Sequence, residues 1–142
     1  MRSKAPLVMI EQMIMLLVFA LAAVLCLQAF TTSKEISEES ICRDRAVVEV
    51  QNAAESMKAG DGETYFREMG ANLGEEGGQI FYNEKWKPFE DSKGEMEAAF
   101  RLQLSYKDTD IAYLQSAEIA VYDAEGELLF SMPVSWQNRE VE

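Results

Sequence analysis

The sequence predicts an α+β fold: a long N-terminal helix, its first half able to span a membrane, packed against a four-stranded antiparallel β-sheet. Three observations lead there. No glycine or proline interrupts residues 7–59, and these are the two residues most costly inside a helix. Within that stretch a near-continuous apolar run gives way to apolar residues at helical spacing. From residue 79 onward the apolar period changes to alternation, the signature of half-buried strands.

The first segment, "LVMIEQMIMLLVFALAAVLCLQAF" (residues 7–30), has about the length a helix needs to cross a bilayer. Residues 1–33 carry Arg2 and Lys4 against Glu11, a net +1, whereas residues 34–142 hold 11 basic and 24 acidic groups, a net −13. The basic flank before the run places the N-terminus in the cytoplasm and residues 34–142 outside the cytoplasmic membrane. A competing reading is a cleaved secretory signal, with Leu27 and Ala29 before the cut and a product starting at Phe30. The length of the run and the Glu11–Gln12 interruption favour a retained anchor. Leu25, where a lipoprotein site would carry a small residue, argues against lipidation at Cys26.

Glu11 is the polar feature of this segment. About a turn of apolar residues (Leu7, Val8, Met9, Ile10) precedes it, which sets it inside the hydrocarbon edge, where carboxylates as a rule face a partner. An amino terminus or basic group of a neighbouring copy would serve.

Beyond Thr32 the helix continues outside the membrane. Ile36, Val47, Val50, Ala54 and Met57 form a stripe, widened by Ala46 and Ala53, and Gly60 ends it. A continuous helix over residues 7–59 would be roughly 80 Å long at ~1.5 Å per residue. "ETYFREMGANLG" predicts a short helix with Tyr65, Phe66, Met69 and Leu73 to one side, stopped by Gly70 or Gly74, before an "EEGG" loop.

Four alternating segments follow. "QIFYNEKWKP" puts Ile80, Tyr82 and Trp86 on one face, and "EMEAAFRLQLSY" does the same for Phe100, Leu102, Leu104 and Tyr106. "IAYLQSAEIAVY" aligns Tyr113, Ala117, Ile119 and Val121; "ELLFSMPVSW" aligns Leu128, Phe130, Met132, Val134 and Trp136. "KPFEDSKGE" and "KDTD" read as polar connections, and "DAEGE" as a tight turn with Gly126 at positive φ. Pro133 lacks a ladder donor, so the last strand is expected at an edge. A sheet with one apolar face needs a cover, and the striped half of the helix supplies it. The expected organisation is a basic leader (1–6), a membrane helix (7–30), and an outer domain made of an amphipathic helix (31–60) with the sheet region (61–142).

Chemistry is sparse. The chain has no histidine, which removes imidazole-based catalysis and most catalytic zinc sites. Its two cysteines, Cys26 and Cys42, form neither a redox nor a structural-metal motif, and no Gly-rich phosphate loop occurs. Asp108 with Asp110, or Asp61 with Glu63, lack calcium-loop spacing and read as turn chemistry. No catalytic, cofactor-binding or metal residue is assigned, no enzyme activity or small-molecule substrate is expected, and the acidic outer domain argues against nucleic acid as the main ligand. The partners expected are membrane lipid and copies of this chain or similar subunits.

The short basic leader, the "LVMIEQMIMLLVFALAAV" pattern and the helix running on from the membrane resemble the N-terminus of type IV pilins and of the pseudopilins of type II secretion and competence systems. The resemblance covers about the first third of the chain. It implies a structural subunit in which Glu11 pairs with the amino terminus of an adjacent copy during assembly. It also implies a leader boundary at Pro6 and Leu7. Pro6 stands where that family carries glycine, and phenylalanine, its usual first mature residue, is absent. The alternative is therefore an uncleaved, singly anchored extracytoplasmic interaction domain that does not polymerise.

Overall fold

The computed structural model describes residues 4–71, 73–90 and 94–137. Arg2 of the basic flank, Asn72, Asp91–Lys93 of the "KPFEDSKGE" connection and residues 138–142 lie outside them. The chain forms two units, Met1–Ile41 and Cys42–Glu142.

Helix α1 spans Ala5–Ala59. Pro6 falls in its first turn, where the missing N–H costs nothing and the fixed φ suits a helix. From Lys4 to Ile41 every residue of the first unit is exposed. In the second unit α1 buries Ala46, Glu49, Val50, Ala53, Ala54 and Met57. The expected stripe is corrected at its start: Ile36 is 59% exposed, and burial begins at Ala46. Gly60, at φ +87°, stops the helix. Its N–H donates to the Met57 carbonyl at 3.2 Å and the Asp61 N–H to the Ser56 carbonyl at 3.0 Å, which satisfies two carbonyls the helix end leaves free. The same pair of bonds closes α2 (Gly62–Glu68) at Gly70.

Strands β1 (Gly77–Tyr82), β2 (Phe100–Lys107), β3 (Leu114–Asp123) and β4 (Leu128–Gln137) form a sheet in the order β1-β2-β3-β4, with every pair antiparallel. The fold class is thus α+β, as the change of period predicts. Ile80 pairs with Leu102, Leu102 with Val121, and Ala117 with Val134. These residues meet Ala46, Val50, Ala53, Ala54 and Met57 of α1 and Phe66 of α2 in one core. Pro133, exposed opposite Glu118, lies on edge strand β4 as expected.

Local chemistry corrects several expected positions. The two glycines of "EEGG" open β1 rather than a loop. Trp86 is not in a strand. The Asn83 side-chain oxygen accepts the N–H groups of Lys85 (2.9 Å) and Lys87 (3.0 Å), an Asx turn that folds the chain back. Trp86 sits there at φ +60° and stacks on Phe100, centroids 4.0 Å apart. "EMEA" belongs largely to a one-turn helix α3 (Gly94–Glu97), so β2 begins only at Phe100. Tyr113 precedes β3 at φ +65° and is 77% exposed. A bulge between Val121 and Tyr122 pairs Val121 with Phe130 but Tyr122 with Leu128. The extra residue turns Leu129 toward the core and leaves Leu128 outward, half exposed.

Candidate functional site

The apolar half of α1 is the feature that most demands an environment. One 18-residue window reaches a mean hydropathy of 2.6 with none of it buried. Leu7, Met13, Leu16, Phe19 and Phe30 are each 68–75% exposed. An apolar surface of that extent is unstable in water. A helix is stable in hydrocarbon because its backbone groups are satisfied within it. The segment is long and apolar enough to cross a membrane.

On the helical surface Glu11 neighbours Leu7, Val8, Ile14 and Met15, three or four residues away. Its carboxylate makes no ion pair or side-chain hydrogen bond among the described residues. Lys4 lies two turns back along the same side. Among the described residues the acid therefore stands on an apolar face without an ion-pair or hydrogen-bond partner for its carboxylate. Pro6 and Leu7 both lie in the first turn of α1. Ala20, Ala22 and Ala23 are small enough for a second helix to approach closely. Cys26 is exposed on the same helix and Cys42 is half-buried, and neither is in a disulfide.

A second polar cluster lies inside the outer unit, where sequence reasoning did not find it. Glu49 is 8% exposed on the face of α1 that meets the sheet. Tyr82 of β1 donates its hydroxyl to Glu49 Oε2 at 3.4 Å, and the Tyr65 hydroxyl of α2 is buried nearby without a hydrogen bond of its own. Burial pushes the Glu49 carboxyl above the usual range, while Arg45 and the Tyr82 hydrogen bond pull it back. Burial, then the Glu49 charge, pushes the Tyr65 hydroxyl up to about 12. The Tyr82 hydroxyl is held far above its ordinary value, first by burial and then by Tyr65 and Glu49. Both phenols stay protonated, and the Tyr82 hydroxyl is the donor to Glu49. The cluster joins α1, α2 and β1, and it contains no nucleophile–base pair. The only advance signal was a glutamate one residue before Val50, within the arc of the apolar stripe.

Among the described residues no three of His, Cys, Asp or Glu converge as a metal site. Asp108 and Asp110 stay on the connection between β2 and β3, where the Thr109 hydroxyl donates to the Leu114 carbonyl at 2.6 Å. No protein-family model, curated protein or solved structure matches the chain.

Proposed function

We propose that this chain is a membrane-anchored, pilin- or pseudopilin-like structural subunit of a type IV pilus, type II secretion or competence assembly. One observation carries the reading. A lipid-compatible helical segment with a single unpartnered acid near its start belongs to the same helix that covers a four-stranded sheet. The helix would hold the subunit in the cytoplasmic membrane, N-terminus inside, and then pack against identical helices. Ala20, Ala22 and Ala23 support close approach, since packing rather than hydrophobicity drives association in lipid. Glu11 would set register by pairing with the amino terminus of the next copy. The work is mechanical, and no substrate chemistry is assigned.

The test uses the native thiol Cys26, in a Cys42→Ser background, for crosslinking between copies in membranes. The expected result is a crosslinked dimer that Glu11→Ala abolishes while the protein stays in carbonate-washed membranes. A dimer yield unchanged by Glu11→Ala overturns the role of the acid, and absence of any crosslinked dimer overturns assembly. Pro6 favours a second reading, the uncleaved, non-polymerising anchored domain. N-terminal sequencing separates the two: a start at residue 6 or 7 supports the processed subunit, Met1 the resident anchor.

A further inference from the structure

The cover that α1 lays over the sheet stops short. The helix ends at Gly60, and the chain turns off into α2. The inner face of the sheet runs on past the core. Tyr106 of β2 pairs with Ala117 at the end of the covered part, and beyond it Gln115 of β3 and Trp136 of β4 are register partners. Among the described residues, an open cleft of about 1070 Å³ lies between Tyr106, Gln115 and Trp136 and the segment Met57–Glu63, also bordered by Leu73 and Gln137. A smaller recess of about 390 Å³ adjoins it, sharing Gly74, Tyr106 and Gln115, and runs beneath the connection that leads to Leu114. The cleft is slightly larger than the roughly 300–1,000 Å³ of sites that hold small ligands.

The lining narrows the class of occupant. The rings of Tyr106 and Trp136 form one wall, centroids 6.3 Å apart and inclined at 54°. Gln115 brings an amide that both donates and accepts hydrogen bonds, whereas the Ser135 hydroxyl lies on the other face of the sheet and donates to Ser116 Oγ at 3.2 Å. The charged residues bordering the cleft are Lys58 and Glu63, and Glu63 is held by Arg67 at 2.8 Å. A purely apolar occupant would leave the Gln115 amide without water or a partner. An anion would meet the net −13 carried by residues 34–142. Uncharged hydroxyls satisfy planar amides in both directions, and ring C–H faces lie well on tryptophan and tyrosine. Burial, and after it the Glu63 charge, raises the Tyr106 hydroxyl above its ordinary range, so it remains a donor.

We propose that the cleft between the end of α1 and the side chains of Tyr106, Gln115 and Trp136 is a binding site for an uncharged oligosaccharide. The ring faces of Tyr106 and Trp136 take the sugar's apolar side, and Gln115 fixes its hydroxyls. The site is independent of whether copies assemble.

The experiment uses the full chain in lipid nanodiscs with Trp86→Phe, which leaves Trp136 as the sole indole. Trp86 stacks on Phe100 and does not border the cleft. The probes are N-acetylglucosamine tetramer, maltotetraose and, as a charged control, tetragalacturonate. At least one neutral tetramer is expected to change Trp136 emission saturably. In the chain that keeps Trp86, calorimetry is expected to show an affinity loss of about tenfold for Trp136→Ala and for Gln115→Ala. Trp136→Phe keeps a ring and should stay within about threefold. The uronate should bind about tenfold more weakly than the neutral tetramer. Absence of saturable binding by both neutral probes overturns the proposal. So does equal affinity in Trp136→Ala with the thermal midpoint unchanged, or tightest binding by the uronate. Glu11→Ala should leave binding unaltered, so failure of this site and failure of assembly are read separately.

Discussion

Glu49 shares the inward face of α1 with Ala46, Val50 and Ala53, and Tyr82 is its hydrogen-bonding partner from the sheet. Its carboxyl in the folded chain titrates above the ordinary value of 4.5, chiefly because burial penalises the ion. Below that value both folded and unfolded states hold the proton. Above it the unfolded chain releases the proton first, so the folded state binds more protons and stability falls as pH rises through the raised carboxyl pKa. Urea denaturation of the outer unit across pH 4 to 8 should show that decline, and Glu49→Gln should flatten it and be the more stable protein at the alkaline end. A steeper decline in Glu49→Gln would contradict the burial argument. Tyr82→Phe acts in the opposite sense. It removes the donor to the carboxylate, with an expected cost of about 1–3 kcal/mol, larger at pH 8 than at pH 5 because the ion needs the donor more. Equal costs at the two pH values would show that Glu49 is not the group being served.

At the scale of elements, the helix–sheet contact depends on small side chains. Ala46, Ala53 and Ala54, at 0%, 0% and 2% exposure, let α1 lie close against Ile80, Leu102 and Ile119. Ala53→Leu adds volume where there is no room and should cost about 1–3 kcal/mol in urea denaturation, with the membrane half unaffected. A neutral Ala53→Leu would mean the contact is looser than the burial indicates. Edge strand β4 has the reverse property. Pro133→Thr restores a donor on an exposed edge and should leave stability within about 0.5 kcal/mol while increasing self-association of the outer unit, measured by sedimentation. The strands were legible where side chains alternate strictly, as at Leu102, Leu104, Ile119, Val121 and Val134. They were not legible where a side chain redirects the backbone: Asn83 bends the chain before Trp86, and an extra residue exchanges the roles of Leu128 and Leu129. Glu49 escaped notice because periodicity assigns a face by hydrophobicity, whereas this acid is tolerated by a phenol from another element. Glu11 was legible because a lone acid in an apolar run conflicts with its surroundings on sequence grounds alone.

The whole molecule joins two chemistries in one helix. From Leu7 to Phe30 the side chains are largely apolar and every residue is exposed, in a segment long and apolar enough to cross a membrane. From Ala46 to Met57 the same helix finds its apolar partners within its own chain. Among the described residues, the core of Cys42–Glu142 includes none before Ala46. It follows that the outer unit should fold without the anchor, and that only the anchor requires lipid. Residues 34–142 expressed alone should be water-soluble, give circular dichroism of mixed helix and strand, and melt cooperatively. The full chain should stay in carbonate-washed membranes, and Leu17→Arg, mid-span, should weaken insertion by about 2.5–3.5 kcal/mol. If residues 34–142 aggregate or fail to melt cooperatively, the core must depend on contacts made by the first unit. If the full chain remains in aqueous solution with its first thirty residues intact, the apolar helix is covered by protein rather than lipid, and the anchor is the wrong account of it.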